Sequence, residues 1–99
     1  MEKVIIHPQV CDMGSGDGEY KFNKEITLDE FLKEYKTTSN SWGTITIISR
    51  DGKILRKFDY DTYNNSQFFY HLSWELQMKI KKVTFMYCWM SEDVIIYLS

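Results

Sequence analysis

The sequence contains little of what marks a secreted, membrane-spanning or metal-binding protein. Its two cysteines, Cys11 and Cys88, lie far apart and outside any paired metal-binding spacing. Isolated cysteines are typical of reduced thiols, so we expect a reducing compartment, the cytoplasm, and no disulfide framework. The N-terminal apolar run is too short for a signal peptide, and no stretch approaches the ~20 apolar residues of a membrane span.

The chain also has little excess charge of either sign, because 12 basic and 14 acidic residues leave a net charge of −2. A general nucleic-acid coat protein would be strongly basic, so we do not expect this chain to be one. Seven basic residues nevertheless fall in the segment 50–82, which holds only four acidic ones. Because basic groups neutralise phosphates and nearby rings stack on bases, this segment leaves nucleic-acid binding open as an alternative function. The basic residues are Arg50, Lys53, Arg56, Lys57, Lys79, Lys81 and Lys82.

Aromatic residues, in contrast, are abundant. The chain has 99 residues, which suits a single domain over 1–99, and sixteen of them are Tyr, Phe or Trp. A domain this small cannot enclose sixteen rings, so we expect several to be partly exposed. The apolar fraction of 43% and the charged fraction of 26% are typical of a globular protein and not of a disordered one.

Hydrophobic periodicity predicts an α+β fold. We expect an antiparallel or mixed sheet of five to six strands with two helices, in the order strand, strand, helix, strand, strand, helix, strand, strand. The first strand is predicted to lie at a sheet edge, because Pro8 cannot donate a ladder hydrogen bond. The predicted strands are 3–10, 19–25, two strands flanking Asp51-Gly52, 82–90 and 93–98, and the second helix is predicted over 66–78.

The first helix has the clearest local signal. Thr27 and Glu30 match a capping box, in which each side chain accepts a hydrogen bond from the other residue's backbone N–H. The helix is predicted to end in the polar run 37–41. One face is predicted to be apolar, formed by Leu28, Phe31, Leu32 and Tyr35.

Asp51-Gly52 predicts a two-residue hairpin turn. That turn pairs Ile47 with Arg56 and Ile45 with Phe58, and it gives the hairpin one apolar face. Arg56 is the exception on this face, so we expect a carboxylate or a sheet edge beside it. The predicted apolar residues are Ile45, Ile47, Ile54 and Phe58.

No motif predicts catalysis, and we expect neither a cofactor nor a metal ion. The run Gly14–Gly18 is followed by a predicted strand and not by the helix that a phosphate cradle needs, so we interpret it as part of a flexible turn. His7 and His71 have no metal ligand at a useful spacing. An enzyme using His71 or Cys88 is retained only as a minor alternative, because a nucleophile and its base need not be neighbours in sequence.

The C-terminal hairpin differs from the earlier one because both of its faces are predicted to be apolar. In the strand 82–90, alternate residues point to opposite sides of the sheet. In the strand 93–98, the residues that point to either side are apolar. One side must pack on the helices, and a second apolar side is typical of a contact surface unless it too is covered. The residues predicted to bind a partner are Met86, Cys88, Met90, Ile95, Tyr97 and Trp42.

We therefore hypothesise a non-catalytic protein-interaction module. Two kinds of partner remain open: a second copy of the chain, giving a homodimer, or another protein that this domain caps in the manner of an inhibitor or immunity protein. The sequence does not choose between them.

Overall fold

The computed structural model describes residues 1–9, 14–62 and 72–99, and the side chains of all of these except 6–9. It is a mixed α+β fold with a six-stranded sheet, one α-helix and a short 3₁₀ turn. The elements are β1 (Glu2–Gln9), β2 (Ser15–Lys21), α1 (Leu28–Thr38), β3 (Trp42–Ile48), β4 (Ile54–Asp61), a 3₁₀ turn (Trp74–Gln77), β5 (Ile80–Cys88) and β6 (Ser91–Leu98).

The strand order across the sheet is β1-β2-β5-β6-β3-β4. Neighbouring strands run antiparallel except β3 and β6, which are parallel. The sheet is therefore mixed and has six strands, which agrees with the predicted antiparallel or mixed sheet of five to six strands. β1, which contains Pro8, lies at one edge, also as predicted.

The predicted second α-helix is not confirmed. In its described part the chain makes only the 3₁₀ turn, while residues 66–71 lie outside the described ranges. A helix cannot continue through residues 78–80 because their backbone is hydrogen-bonded elsewhere. Leu28 N donates to Met78 O at 2.8 Å, and Ile80 N donates to Ile26 O at 2.9 Å.

Helix α1 begins at the predicted capping box. Glu30 N donates to Thr27 Oγ1 at 3.2 Å, and Thr27 N donates to Glu30 Oε1 at 3.0 Å. The helix ends at Thr38, where Ser39 N bonds Tyr35 O at 2.9 Å. All four residues of its predicted apolar face are buried, so the helix packs on the sheet as its periodicity indicates.

The β3–β4 hairpin has the predicted pairing in its centre but a different turn. Ile47 pairs with Arg56 and Ile45 with Phe58. At the turn, Gly52 has a φ of 90° and its N–H bonds Ser49 O, which makes a three-residue loop instead of the predicted two-residue one. The ladder therefore shifts by one residue near the turn, and a bulge restores it. Ile54 moves off the apolar side and is 62% exposed, so its predicted place was wrong.

The C-terminal hairpin turns two residues earlier than predicted. Cys88 pairs with Ser91 across the two-residue turn Trp89-Met90, and Trp89 has a φ of 59°. A positive φ at the first turn residue is what a tight hairpin requires. Met90 therefore lies in the turn, and the prediction that it continues the face of Met86 and Cys88 is wrong.

The glycine-rich run belongs to a strand. Residues from Ser15 onward form β2, so its interpretation as a flexible turn was wrong for that part, while 12–13 lie outside the described residues. Gly18 is needed there because a Cβ would lie 2.0 Å from Val4 O and 2.8 Å from the Phe85 ring. The glycine lets the neighbouring strand and the ring approach closely.

Helix α1 divides the sheet into two unlike faces. The face beneath it, here called the helix face, is buried, and its largest buried strand residues include Ile45, Ile47, Val83, Phe85, Val94 and Ile96. The opposite face carries no described helix and is here called the open face. Its residues in the five strands β2, β5, β6, β3 and β4 are Ser15, Asp17, Glu19, Lys21, Lys82, Thr84, Met86, Cys88, Ser91, Asp93, Ile95, Tyr97, Trp42, Thr44, Thr46, Ile48, Ile54, Lys57, Asp59 and Asp61. No helix within the described ranges is long and apolar enough to cross a bilayer.

Candidate functional site

The open face holds most of the residues predicted to bind a partner. Met86 is 56% exposed, Cys88 is exposed, and Ile95 and Tyr97 are half-buried. Trp42, the first residue of β3, is 43% exposed at the end of the same face. The structure thus brings together five of the six predicted residues, and Met90 is the one that it separates from them.

The open face is less apolar than its two predicted strands suggested, because polar residues alternate with the apolar ones across the sheet. Met86 lies between Asp17 and Asp93, and Thr84 lies between Glu19 and Ile95. The apolar side chains instead form an oblique band that runs from β5 to the edge strand β4. The band consists of Met86, Ile95, Tyr97, Ile48 and Ile54.

The charged groups of the open face are partly separated along the strands, although Glu19 and Lys57 share the row through Thr84. One row across the sheet, through Met86, contains the carboxylates of Asp17, Asp93 and Asp59. Four residues further along the strands, the row through Tyr97 contains the ammonium groups of Lys21 and Lys82. The open face therefore has an acidic row and a basic row, and the apolar band runs obliquely from Met86 in the acidic row to Tyr97 and Ile48 in the basic row. Lys21 of the basic row is paired with Glu19 at 3.0 Å.

A shallow depression lies at the acidic end. It measures about 280 Å³ and has a mainly apolar floor that includes Met86 and Ile95. Asp17 and Asp93 flank Met86 on its two neighbouring strands. Asp93 is held in place by Thr44, whose backbone N–H and hydroxyl both donate to its Oδ1, at 3.0 and 2.9 Å. The depression suits an apolar stem that ends in a cation.

The basic segment does not form one continuous surface. Arg56 lies on the helix face, where its Nη2 is 2.7 Å from Oε1 of the fully buried Glu75, so the carboxylate that we expected beside it is present. Lys79 pairs with Glu25 at 2.6 Å. Lys57 and Lys82 lie on the open face in β4 and β5, with two strands between them. Arg50, Lys53 and Lys81 are exposed.

The residues considered for catalysis are not brought into one described site. Cys88 is exposed at the end of β5, whereas His71, Cys11 and the side chain of His7 lie outside the described part of the chain. Within the described residues, no three His, Cys, Asp or Glu side chains are placed to hold a metal ion.

A buried polar cluster beneath the C-terminal end of α1 was missed by the sequence analysis. At its centre is Glu92, which is 5% exposed. Its Oε1 accepts hydrogen bonds from the hydroxyls of Tyr20 and Tyr35, the latter at 3.2 Å. Its Oε2 accepts from Lys3 Nζ at 2.7 Å. Tyr60 donates to the backbone oxygen of Glu92 at 2.6 Å and also bonds Tyr35.

The fold assembles this cluster from five separate elements. Tyr20 comes from β2, Tyr35 from α1, Tyr60 from β4, Glu92 from β6 and Lys3 from β1. A glycine in β3 makes the close approach to β6 feasible. Gly43 has a φ of 152°, and a Cβ there would lie 2.3 Å from the backbone oxygen of Glu92.

Burial raises the pKa of all three tyrosines, so their hydroxyls stay protonated and can donate. It raises the pKa of Tyr35 to about 12, and the nearby Glu92 charge acts in the same direction. Burial and then the Glu92 charge raise the pKa of Tyr20 further, and burial also raises that of Tyr60.

The hydrogen-bonding groups of the cluster bond mainly to one another. Both oxygens of Glu92 accept from donors of the chain itself, and the Lys3 ammonium also lies 4.5 Å from the centre of the Phe85 ring and 4.8 Å from that of Tyr87. The cluster also borders a cavity of about 370 Å³, whose lining includes Lys3, Tyr20, Tyr35 and Glu92. Because both oxygens of Glu92 already accept from the chain's own donors, we interpret the network as one that fixes the core.

Comparison of the chain with protein-family models, curated proteins and solved structures found no match. The chain's own geometry is therefore the basis for its functional assignment.

Proposed function

We propose that this chain is a non-catalytic protein-interaction module that binds its partner through the open face. The observation that carries the proposal is the exposed Met86 in the apolar band of a sheet whose other face is packed against α1. Its side chain is 56% exposed although it lies in β5, a central strand. Large exposed apolar residues on a regular surface are typical of contact sites.

The composition of the open face supports this proposal. Met86 and Tyr97 belong to residue types that are enriched at protein contacts, and both lie in the central strands β5 and β6 with charged residues beside them. The exposed thiol of Cys88 favours a reducing compartment, and we propose the cytoplasm.

The nucleic-acid alternative has less support. A single-strand binder needs basic groups along one groove with rings between them. Here Arg56 and Lys79 are engaged by Glu75 and Glu25, and Lys57 and Lys82 are separated by two strands.

The proposal is tested by site-specific loss of binding. Four tagged forms of the chain are used to capture proteins from a lysate of the organism that encodes it. The forms are wild type, Met86→Glu, Tyr97→Glu and Trp74→Glu. Trp74 is the matched control, because it is 57% exposed but lies in the 3₁₀ turn, outside the open face. Circular dichroism checks that each form is folded.

We expect one protein, either this chain or another, to be captured by wild type and by the Trp74 variant and lost with both open-face variants. Recovery of the same protein by all four folded forms would contradict the proposal. So would the absence of any captured protein, including an untagged copy of this chain.

A further inference from the structure

We infer that the partner of the open face is a second copy of this chain, packed face to face about a two-fold axis that crosses the strands near Thr84. This inference rests on the proposed function and goes beyond it by naming the partner and its orientation. It depends on three features of the open face: the depression, the position of Lys82 and the separation of charge.

In the proposed dimer, the depression of one copy binds a lysine side chain of the other. Its floor contains Met86 and Ile95, and its two flanks carry the carboxylates of Asp17 and Asp93. A lysine fits such a site better than a shorter cation does, because its aliphatic stem covers apolar surface while its ammonium reaches the carboxylates.

The lysine that occupies the depression is Lys82 of the other copy. It lies on β5, the strand that also contains Met86, and it points to the same face four residues away. Its ammonium is exposed above the Tyr97 ring, 4.7 Å from the ring centre. Thr84 lies midway between Lys82 and Met86 on the same face.

A two-fold axis through Thr84 and across the strands makes both contacts at once. It places β5 of one copy over β5 of the other in the reverse direction, so each Lys82 lies above the Met86 of the other copy. Each lysine then enters a depression between Asp17 and Asp93, and the two contacts are identical, as in an isologous dimer.

Charge separation selects this axis over the alternative. A two-fold axis parallel to the strands would place the acidic row of one copy over the acidic row of the other, so that Asp17, Asp93 and Asp59 of the two copies repel. The axis across the strands places the row of Asp17 and Asp93 of one copy over the row of Lys21 and Lys82 of the other. The row through Thr84 then lies over itself, so Glu19 and Lys57 each face their own counterpart, and Lys21 also pairs with Glu19 at 3.0 Å within each copy. Each lysine–aspartate contact occurs twice and each of these two like-charge contacts once, so the complementary contacts outnumber the like-charge ones.

The available area is sufficient for a reversible dimer. A face of six strands about 4.8 Å apart, each about seven residues long, covers on the order of 650 Å². Stable interfaces bury ~800 Å² on each partner, so this face approaches the standard size. Two sheets that pack in this way form a sandwich with a spacing of ~10 Å.

The first experiment measures mass against concentration by sedimentation equilibrium. We expect the wild-type mass to rise from one chain to two. Lys82→Glu places a negative charge against Asp17 and Asp93 in both contacts, so it should raise the dissociation constant by about 100-fold or more. Lys81→Glu is the matched control: it makes the same charge change one residue away at an exposed site and should change the constant less than about threefold.

A mixing experiment checks the pairing itself. Lys82→Glu and Asp93→Lys should each be mainly monomeric alone, but an equimolar mixture should contain dimers. In the mixed dimer, the introduced carboxylate at position 82 of one copy meets the introduced ammonium at position 93 of the other, while the second contact is the wild-type one. A mixture that stays monomeric, with both variants folded by circular dichroism, would overturn the proposed contact.

The second experiment tests the axis without changing any charge. In a Cys11→Ser background, the native Cys88 is compared with a Thr84→Cys, Cys88→Ser variant, using a short bifunctional maleimide. The axis across the strands brings residue 84 of one copy close to residue 84 of the other and holds the two Cys88 thiols far apart. We therefore expect cross-linking at 84 and not at 88, and efficient cross-linking at 88 would overturn this axis.

Failure of this inference can be distinguished from failure of the proposed function. A chain that stays monomeric at every concentration, but whose open-face variants lose a different captured protein, refutes the dimer and leaves the interaction module intact. A chain that forms a dimer unaffected by Lys82→Glu, Met86→Glu and Tyr97→Glu refutes both.

Discussion

The same strands supply a buried face and an exposed face of the sheet. Along β5, Val83 and Phe85 are at most 2% exposed, whereas their neighbours Thr84 and Met86 point away from the helix and Met86 is 56% exposed. A strand places successive side chains on opposite faces, so one segment can supply both core and surface. The comparison teaches that apolar character alone does not tell which face is the core. The element that packs against a face decides it.

The two faces also differ in how their charged groups are paired. On the helix face, Glu92 is surrounded by donors from other elements, and Arg56 is joined to Glu75. On the open face, the carboxylates of Asp17 and Asp93 and the ammonium of Lys82 lie in different rows and are not paired with each other. A buried charge must be paired because its desolvation is costly, whereas an exposed charge is hydrated and remains available to a partner.

The largest expected contrast is between two neighbouring core and surface residues. Phe85→Ala removes a buried ring and should lower the free energy of unfolding by about 3–5 kcal/mol. Met86→Ala changes an exposed side chain and should lower it by less than about 0.5 kcal/mol. Urea denaturation at a concentration where the chain is monomeric measures both. Similar losses for the two variants would show that the open face is also packed.

Alkaline pH should destabilise the helix face through its tyrosines. Folding raises the pKa of Tyr35 from 10.0 to about 12, so the folded state favours the protonated hydroxyl. The resulting stabilisation, on the order of 3 kcal/mol, is complete below pH 10 and is lost as pH rises from about 10 to about 12. Tyr20 and Tyr60 are shifted in the same direction and extend the loss to higher pH.

The measurement is the free energy of unfolding against pH, followed by urea denaturation. Tyr35→Phe is the control, because it has no proton to lose and should show a shallower fall between pH 10 and 12. Its stability at pH 7 is lower from the outset, so the slope is the informative quantity. Equal slopes for the two proteins would contradict the assignment to Tyr35.

The features that the sequence predicted correctly depend on neighbouring residues. The capping box of Thr27 and Glu30 involves residues three positions apart, and the centre of the β3–β4 pairing follows from alternation. Arg56 is an instructive case. Its place among apolar residues predicted a carboxylate or a sheet edge beside it, and both are present. β4 is an edge strand, and Glu75 is the carboxylate although nineteen positions separate the two residues in the sequence.

The features that were mispredicted depend on residues far away in the chain. The glycines of β2 accommodate aromatic rings of β5, so their conformation is not a local property. The polar cluster joins five elements, and its central Glu92 was assigned to a turn because the hairpin was expected to reverse at residues 91–93. One signal was present: Glu92 is in phase with Val94 and Ile96, which marks it as a charged residue on a buried face.

The smallest predicted contrast is between two neighbouring carboxylates, Glu92 and Asp93. Glu92→Gln removes the charge that Lys3 and two tyrosines contact, and it should lower the free energy of unfolding by about 2 kcal/mol. Asp93→Asn keeps an oxygen that can accept from Thr44 at an exposed site, so it should cost less than about 0.5 kcal/mol. Urea denaturation of dilute protein compares the two. If Asp93→Asn destabilised the chain as much as Glu92→Gln, the carboxylate at 93 would be part of the core, and it would not be available to receive Lys82 of a second copy.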